Sequence, residues 1–165
     1  MIMKKTYFII LSSLLVLFCS VSVVSCSNDD ENEIETVITL NDLPSAARTF
    51  LDKYFNGYSV LKIQKDVEDN MTIYEVELEE GYEIVFNTQG EWTQVDAPYG
   101  KTIPTGFIPE QVMATLNERF PGYGINEINS TGEGYKVELS DNQGGSSIDV
   151  FFDMSGVIIG IEQLD

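Results

Sequence analysis

The sequence predicts an α+β fold made by tandem duplication of one unit, a helix followed by about four antiparallel strands. Three observations carry the prediction. The stretch LPSAARTFLDKYFNGYSVLKI (43–63) aligns with IPEQVMATLNERFPGYGINEI (108–128), matching Pro44 with Pro109, Leu51 with Leu116, and Phe55, Gly57 and Tyr58 with Phe120, Gly122 and Tyr123. Further on, YEVEL (74–78) aligns with YKVEL (135–139) and EIVFNTQG (83–90) with DVFFDMSG (149–156), in the same order. Within each copy the apolar spacing passes from a helical period to alternation, with glycines near the changeovers.

The elements follow in order. Pro44 and Pro109 suit the first turn of a helix, where a missing N–H costs nothing, and Asp42 is placed to cap the first helix. Ala47, Phe50, Leu51 and Tyr54 give that helix one buried face, as Val112, Leu116 and Phe120 do in the second copy. Gly57 and Gly122 stop the helices. Tyr74, Val76 and Leu78 then alternate with Glu75, Glu77 and Glu79, a half-buried strand with an acidic outer side; Tyr135, Val137 and Leu139 repeat it with Lys136 and Glu138 outside. Gly81 and the stretch 141–145 supply turns. Tyr82, Ile84 and Phe86, like Ile148, Val150 and Phe152, form the next inward row, and Gly90 and Gly156 turn the chain into a last strand. Val60 and Ile63 sit three apart, which calls for an irregularity such as a bulge. The copies span 42–96 and 108–165, with 97–107 as the linker.

One helix covers only one side of such a sheet. Val85 and Phe151 occupy equivalent outward positions in the two copies, and Trp92, the single tryptophan, follows the first of them. Apolar groups on a solvated sheet face mark a contact surface. The competing readings place them in the core where the two sheets join, or give the strands another register, since one bulge reverses inward and outward.

The N-terminus carries an address. Lys4 and Lys5 precede an apolar run from Tyr7 to Val24, the pattern of a secretory signal. Its ending, Val23-Val24-Ser25-Cys26, resembles the lipobox of bacterial lipoproteins, which implies a signal peptide over 1–25 and lipidation of Cys26. Several acyl chains at one cysteine satisfy the requirement for stable anchoring. Residues 26–41, beginning with the acids Asp29, Asp30, Glu31 and Glu33, read as a tether. The cysteine-then-acid pattern also resembles the surface-export signal of Bacteroidetes lipoproteins, and the alternative is a periplasmic linker.

Composition narrows the function. The chain has 9 basic and 27 acidic residues, and loss of the signal leaves seven basic residues, a balance of −20. That charge opposes nucleic-acid binding and favours cationic partners. The absence of histidine removes Ser-His-Asp and Cys-His chemistry and most zinc sites. With Cys19 in the signal and Cys26 modified, the domain holds without disulfides. No cofactor, catalytic residue or metal ligand is assigned.

Three classes of function remain. A partner-binding face would use Trp92, Val85 and Phe151 as apolar anchors, with Glu75, Glu77, Glu79 and Glu138 setting charge complementarity. A carboxylate hydrolase would use a pair such as Glu77 and Glu79, about 7 Å apart along a strand. Calcium could be held by Asp66, Glu68, Asp69 and Asn70, although the EF-hand spacing is missing, and a glycan could stack on Trp92, Tyr82 and Tyr99.

The paired blocks running from Leu43 to Asp96 and from Ile108 to Gly156 resemble the PepSY-like, beta-lactamase-inhibitor-protein-like family of secreted or lipid-anchored proteins. The resemblance implies two helix-and-sheet halves joined into one curved antiparallel sheet, with helices on one face. It implies a non-enzymatic, protein-binding role, since relatives of the inhibitor grip an enzyme with the concave sheet face and its loops; the partner expected here is an unidentified envelope or extracellular protein. The second copy departs from the first, having Ile158 opposite Trp92 and a longer stretch from Asp141 to Ser147 in place of the Glu79-Glu80-Gly81 turn.

Overall fold

The computed structural model describes residues 36–68, 71–141 and 147–164. The signal segment, Cys26, the tether as far as residue 35, Asp69, Asn70 and residues 142–146 lie outside them. The described chain is α+β, with nine antiparallel strands and two helices. A short strand β1 (Thr36–Val37) and a 3-10 turn (Leu40–Asp42) lead into α1 (Ser45–Tyr54). Then come β2 (Val60–Glu68), β3 (Met71–Leu78), β4 (Glu83–Asn87) and β5 (Trp92–Asp96). After α2 (Glu110–Arg119) the sequence of elements recurs as β6 (Tyr123–Ser130), β7 (Gly134–Asp141), β8 (Ser147–Asp153) and β9 (Ile158–Leu164). All nine strands form one sheet in the order β1 to β9, so each strand pairs with its neighbour in sequence.

Both helices start where the prolines place them, with Pro44 and Pro109 as the residues before the first turn. Asp42 has a different task from the one expected. Its carboxylate accepts from the Thr39 N–H at 2.9 Å and from the Thr39 hydroxyl at 2.6 Å, closing the 3-10 turn, and α1 has no side-chain cap. The helices end at Tyr54 and Arg119, and Gly57 and Gly122 follow with φ of 103° and 91°.

One core cluster gathers Ala47, Leu51, Val112 and Leu116 from the helices with Ile63, Val76, Leu78, Ile84, Phe86, Val95, Ile128, Val137, Leu139, Ile148, Val150 and Phe152 from the strands and Tyr82 from the turn before β4. The inward rows read from the alternation are therefore buried, except that Tyr74 and Tyr135 at their outer ends are partly buried against the core. Gly90 and Gly156, both at φ 80°, lie directly against the helix starts: a Cβ at Gly90 would sit 2.7 Å from the Pro44 Cβ, and one at Gly156 would sit 2.8 Å from the Gln111 carbonyl carbon. A side chain at either turn would push the helix off the sheet.

The stretch 97–107 is packed rather than slack. Ala97 donates to the Asn126 carbonyl and Ile103 to the Ile125 carbonyl, each at 2.9 Å, while Ala97 and Ile103 are buried. Four bulges interrupt the register. Leu61 and Asn126 are the extra residues in β2 and β6, as the spacing of Val60 and Ile63 required, and Thr93 and Ile159 are the extra residues in β5 and β9.

Candidate functional site

The bulge at Thr93 decides where Trp92 goes. Val85 pairs with Gln94, but Phe86 pairs with Trp92, so the tryptophan shares the inward side with buried Phe86. Its ring packs edge-on against Phe107 at 5.2 Å and stacks on Tyr135 at 6.3 Å, spanning the β5–β7 region. Phe107 in turn meets Phe50 at 5.0 Å and Tyr54 at 5.4 Å. Trp92 thus belongs to an aromatic seam of the core, and the expectation that it faces outward is corrected. The extra residue reverses the side-chain parity of the strand end.

The outer side is ordered in rows. Cross-strand partners align Gln64, Glu75, Val85, Gln94, Asn129, Lys136, Phe151 and Gly160, one residue from each strand from β2 to β9. Val85 and Phe151 lie in this row, four strands apart, or about 19 Å at the usual strand spacing. The Phe151 ring lies over Gly160, where a Cβ would meet ring carbon Cδ2 at 3.4 Å. Glu75 stands beside Val85. Glu79 is in neither row, since it begins a 3-10 turn (Glu79–Gly81) and accepts weakly from the Ser59 N–H at 3.4 Å.

The adjacent row is the most distinctive feature of this side. Lys62, Glu77, Glu83, Asp96, Glu127, Glu138, Asp149 and Glu162 are successive cross-strand partners, so seven carboxylates follow one lysine across the sheet. At the usual strand spacing the seven span about 29 Å. Like charges directly opposite one another destabilise a sheet. Two members of the row show that strain in raised carboxyl pKa values. Asp96 is half-buried at the β5–β6 junction, and desolvation, then the charges of Glu127, Glu83 and Glu138, push its carboxyl up to about 6. Desolvation, then Glu127 and Asp149, also raises Glu138.

Asp149 is the buried member, 4% exposed. Its Oδ2 accepts from Lys136 Nζ at 2.9 Å, while its Oδ1 is buried with no hydrogen-bond partner. Burial pulls the Lys136 ammonium down, but the hydrogen bond and charge of Asp149, with Glu127 and Glu138, more than offset this and hold it above the ordinary lysine value. A buried carboxylate oxygen left unpaired costs about 1–3 kcal/mol.

Sequence reading placed Glu77 and Glu138 on this side and missed Glu83, Asp96, Glu127, Asp149 and Glu162. The signal was present in the aligned pair Glu83 and Asp149, each one position from the buried row. Asp96, Glu127 and Glu162 needed the β5–β6 and β8–β9 registers, which periodicity does not supply.

The other candidate chemistry was sought among the described residues alone. No group of three or more potential metal ligands occurs among the described residues, and Asp69 and Asn70 lie outside them. Tyr82 is buried, Trp92 is in the seam and Tyr99 is 94% exposed, so the three rings do not make a stacking platform. A cavity of about 280 Å³ lies between α2, β6 and residues 102–105, lined by Leu116, Phe120, Tyr123, Ile125 and Leu139, with no carboxylate in its wall. No helix among the described residues is long and apolar enough to cross a membrane.

Comparison with known proteins supplies a family. A structure from Bacteroides vulgatus, "a putative periplasmic protein from DUF2874 family", superposes with a TM-score of 0.70 at 26% identity, covering 78% of this chain and 96% of the other. A second B. vulgatus structure, "a putative periplasmic protein of unknown function", gives 0.69 at 29% identity over 79% and 99% of the two chains. A Bacteroides thetaiotaomicron structure, "a putative calcium-regulated periplasmic protein", gives 0.69 over 78% and 96%, and its 22% identity carries the fold alone. None of the curated proteins matches the chain. The family model described as "Putative beta-lactamase-inhibitor-like, PepSY-like" matches residues 29–81 and 72–160, and the chain belongs to this PepSY-like family.

Proposed function

We propose that the protein is an exported, non-enzymatic binding module that presents the outer side of its sheet to a partner protein of the cell envelope. Its two helix-and-four-strand halves are read as a duplicated unit, with both helices on the inner face of a curved sheet. Cys26 serves as the lipid anchor and the acidic residues after it as the tether, placing the module at the outer membrane, on its periplasmic or external face. The periplasmic character of the B. vulgatus proteins supports export. The observation that carries the binding reading is the row of seven carboxylates, which a sheet evolved only for stability would not line up strand after strand. Val85 and Phe151 in the next row supply apolar contact, with Glu75, Glu77 and Glu138 around them.

Site-specific photo-crosslinking in intact cells tests the proposal. A crosslinking residue at position 85 or 151 is expected to give the same discrete adduct, and one at exposed Glu118 of α2 none. Adducts identical from all three positions, or absent from 85 and 151, would sink it.

A further inference from the structure

We infer that the partner presents arginine side chains to the acidic row, and that the stretch around Asp149, Glu138 and Phe151 is an arginine-recognition site; this rests on the binding reading above. Two independent features point to a cation. The row itself is negative across seven strands. Within it, Asp149 is buried to all but 4% and one of its two oxygens lacks any hydrogen bond, so the Lys136 ammonium satisfies half of it and the site is one donor short. Glu138 and Glu162 flank Asp149 on the neighbouring strands, and no lysine or arginine faces either of them directly across the ladder.

Phe151 distinguishes a guanidinium from other cations. Its ring lies over Gly160, which has no side chain to cover it, next to Lys136 in the row beside Asp149. A planar guanidinium stacks flat on an aromatic face and forks two N–H donors onto a carboxylate; a lysine ammonium is attracted to a ring face but has no planar fork. Carboxylates recur about every 4.8 Å along the row, so a polypeptide segment carrying several arginines meets an acid wherever its side chains reach. Charge complementarity of this kind also speeds encounter and weakens with salt.

The test is fluorescence anisotropy of labelled nonaarginine with the full-length protein in detergent, with nonalysine, spermine and calcium as comparison ligands. Nonaarginine is expected to bind in 0.05 M NaCl. Affinity should fall about tenfold in the Glu127→Gln, Glu138→Gln double variant and about threefold in Phe151→Ala, and hold in a Glu110→Gln, Glu118→Gln control on α2. The row variants relieve like-charge contacts, so they fold, and a thermal melt verifies it. Nonalysine should lose less than nonaarginine from Phe151→Ala. Equal weakening by the α2 control, absence of nonaarginine binding, or equal strength for spermine or calcium would overturn the inference. If the photo-crosslinked adduct forms but nonaarginine does not compete with it, the arginine inference falls while the binding reading stands; if no adduct forms, the binding reading falls.

Discussion

The two halves share a backbone plan and fill it differently. In the first, Phe55, Tyr58 and Tyr82 form a closed trio with ring separations of 5.0–6.2 Å, and the Tyr82 hydroxyl donates to the Thr102 carbonyl at 3.2 Å. Phe50 joins them to Phe86 and Phe107. In the second, the positions of Phe50 and Tyr82 are held by Thr115 and Ile148. Thr115 turns its hydroxyl to the Gly156 carbonyl at 3.0 Å, and only Phe120 and Tyr123 remain of the trio, 6.2 Å apart. Phe120 and Tyr123 then line the 280 Å³ cavity. The comparison teaches that strand register and helix anchoring specify this fold, and that the filling between them is adjustable.

Substitutions can break that comparison at unequal strength. The largest effect is expected at Gly134, which stands where the first half has Ile73. A Cβ at Gly134 would fall 1.9 Å from the Phe152 carbonyl oxygen, so β7 and β8 could not keep their pairing. Gly134→Ala should cost about 4 kcal/mol or more, read as a collapse of the melting temperature by circular dichroism, whereas Ile73→Ala should cost about 1–2 kcal/mol. Equal losses at the two positions would mean that the β7–β8 approach is not as close as the geometry requires.

Trp92 comes next. As a seam residue touching Phe107 and Tyr135, its removal in Trp92→Ala should cost about 3 kcal/mol, against less than about 1 kcal/mol for Phe151→Ala on the outer side. Chemical denaturation of both variants measures the difference. A Trp92→Ala protein as stable as the wild type would return the tryptophan to the outer side.

Trp92 also marks the limit of what the chain reveals before folding. Helix positions, turn glycines and the buried rows were legible because each depends on local spacing: Val76 and Leu78, Ile84 and Phe86, Val150 and Phe152 are inside as alternation demands. The bulge at Thr93 is set by how β5 leaves the tight turn at Gly90 and must meet Phe86, a matter of two strands together. The acidic row is less local still. Glu77 and Glu138 were visible as outward residues, but their joining through Glu83, Asp96 and Glu127 depends on β5 pairing with β6 across the junction of the halves. Glu79 fails for the opposite reason, because Glu80 takes a positive φ of 68° and ends the strand one residue early.

Exchanging the fillings sharpens the comparison further. Tyr82→Ile gives the first half the second half's residue and removes both the ring contacts and the hydrogen bond to Thr102, at an expected cost of about 2–3 kcal/mol. Ile148→Tyr does the reverse, aiming a ring at Phe120 and Tyr123 beside the cavity, and should gain or lose no more than about 1 kcal/mol. Denaturant midpoints that moved equally in the two exchanges would show that the halves are packed alike.

The smallest expected effect lies where the halves meet on the outer side. Asp96, facing Glu83 on one strand and Glu127 on the other, titrates near 6 when folded, against 3.8 for an ordinary aspartate, because burial and its acidic neighbours oppose its charge. The folded state therefore binds a proton that the unfolded chain releases between about pH 4 and pH 6. Stability from this group is complete below pH 3.8 and is lost as pH rises through about 6, and the raised Glu138 acts in the same direction. The partial exposure of Asp96 keeps the effect modest. Asp96→Asn removes the charge for good, so its melting temperature should exceed that of the wild type by about 2–5 °C at pH 7.5 and match it at pH 4. A variant that gained equally at both pH values would owe its stability to packing, and the row would then carry no electrostatic strain at the junction for a cationic partner to relieve.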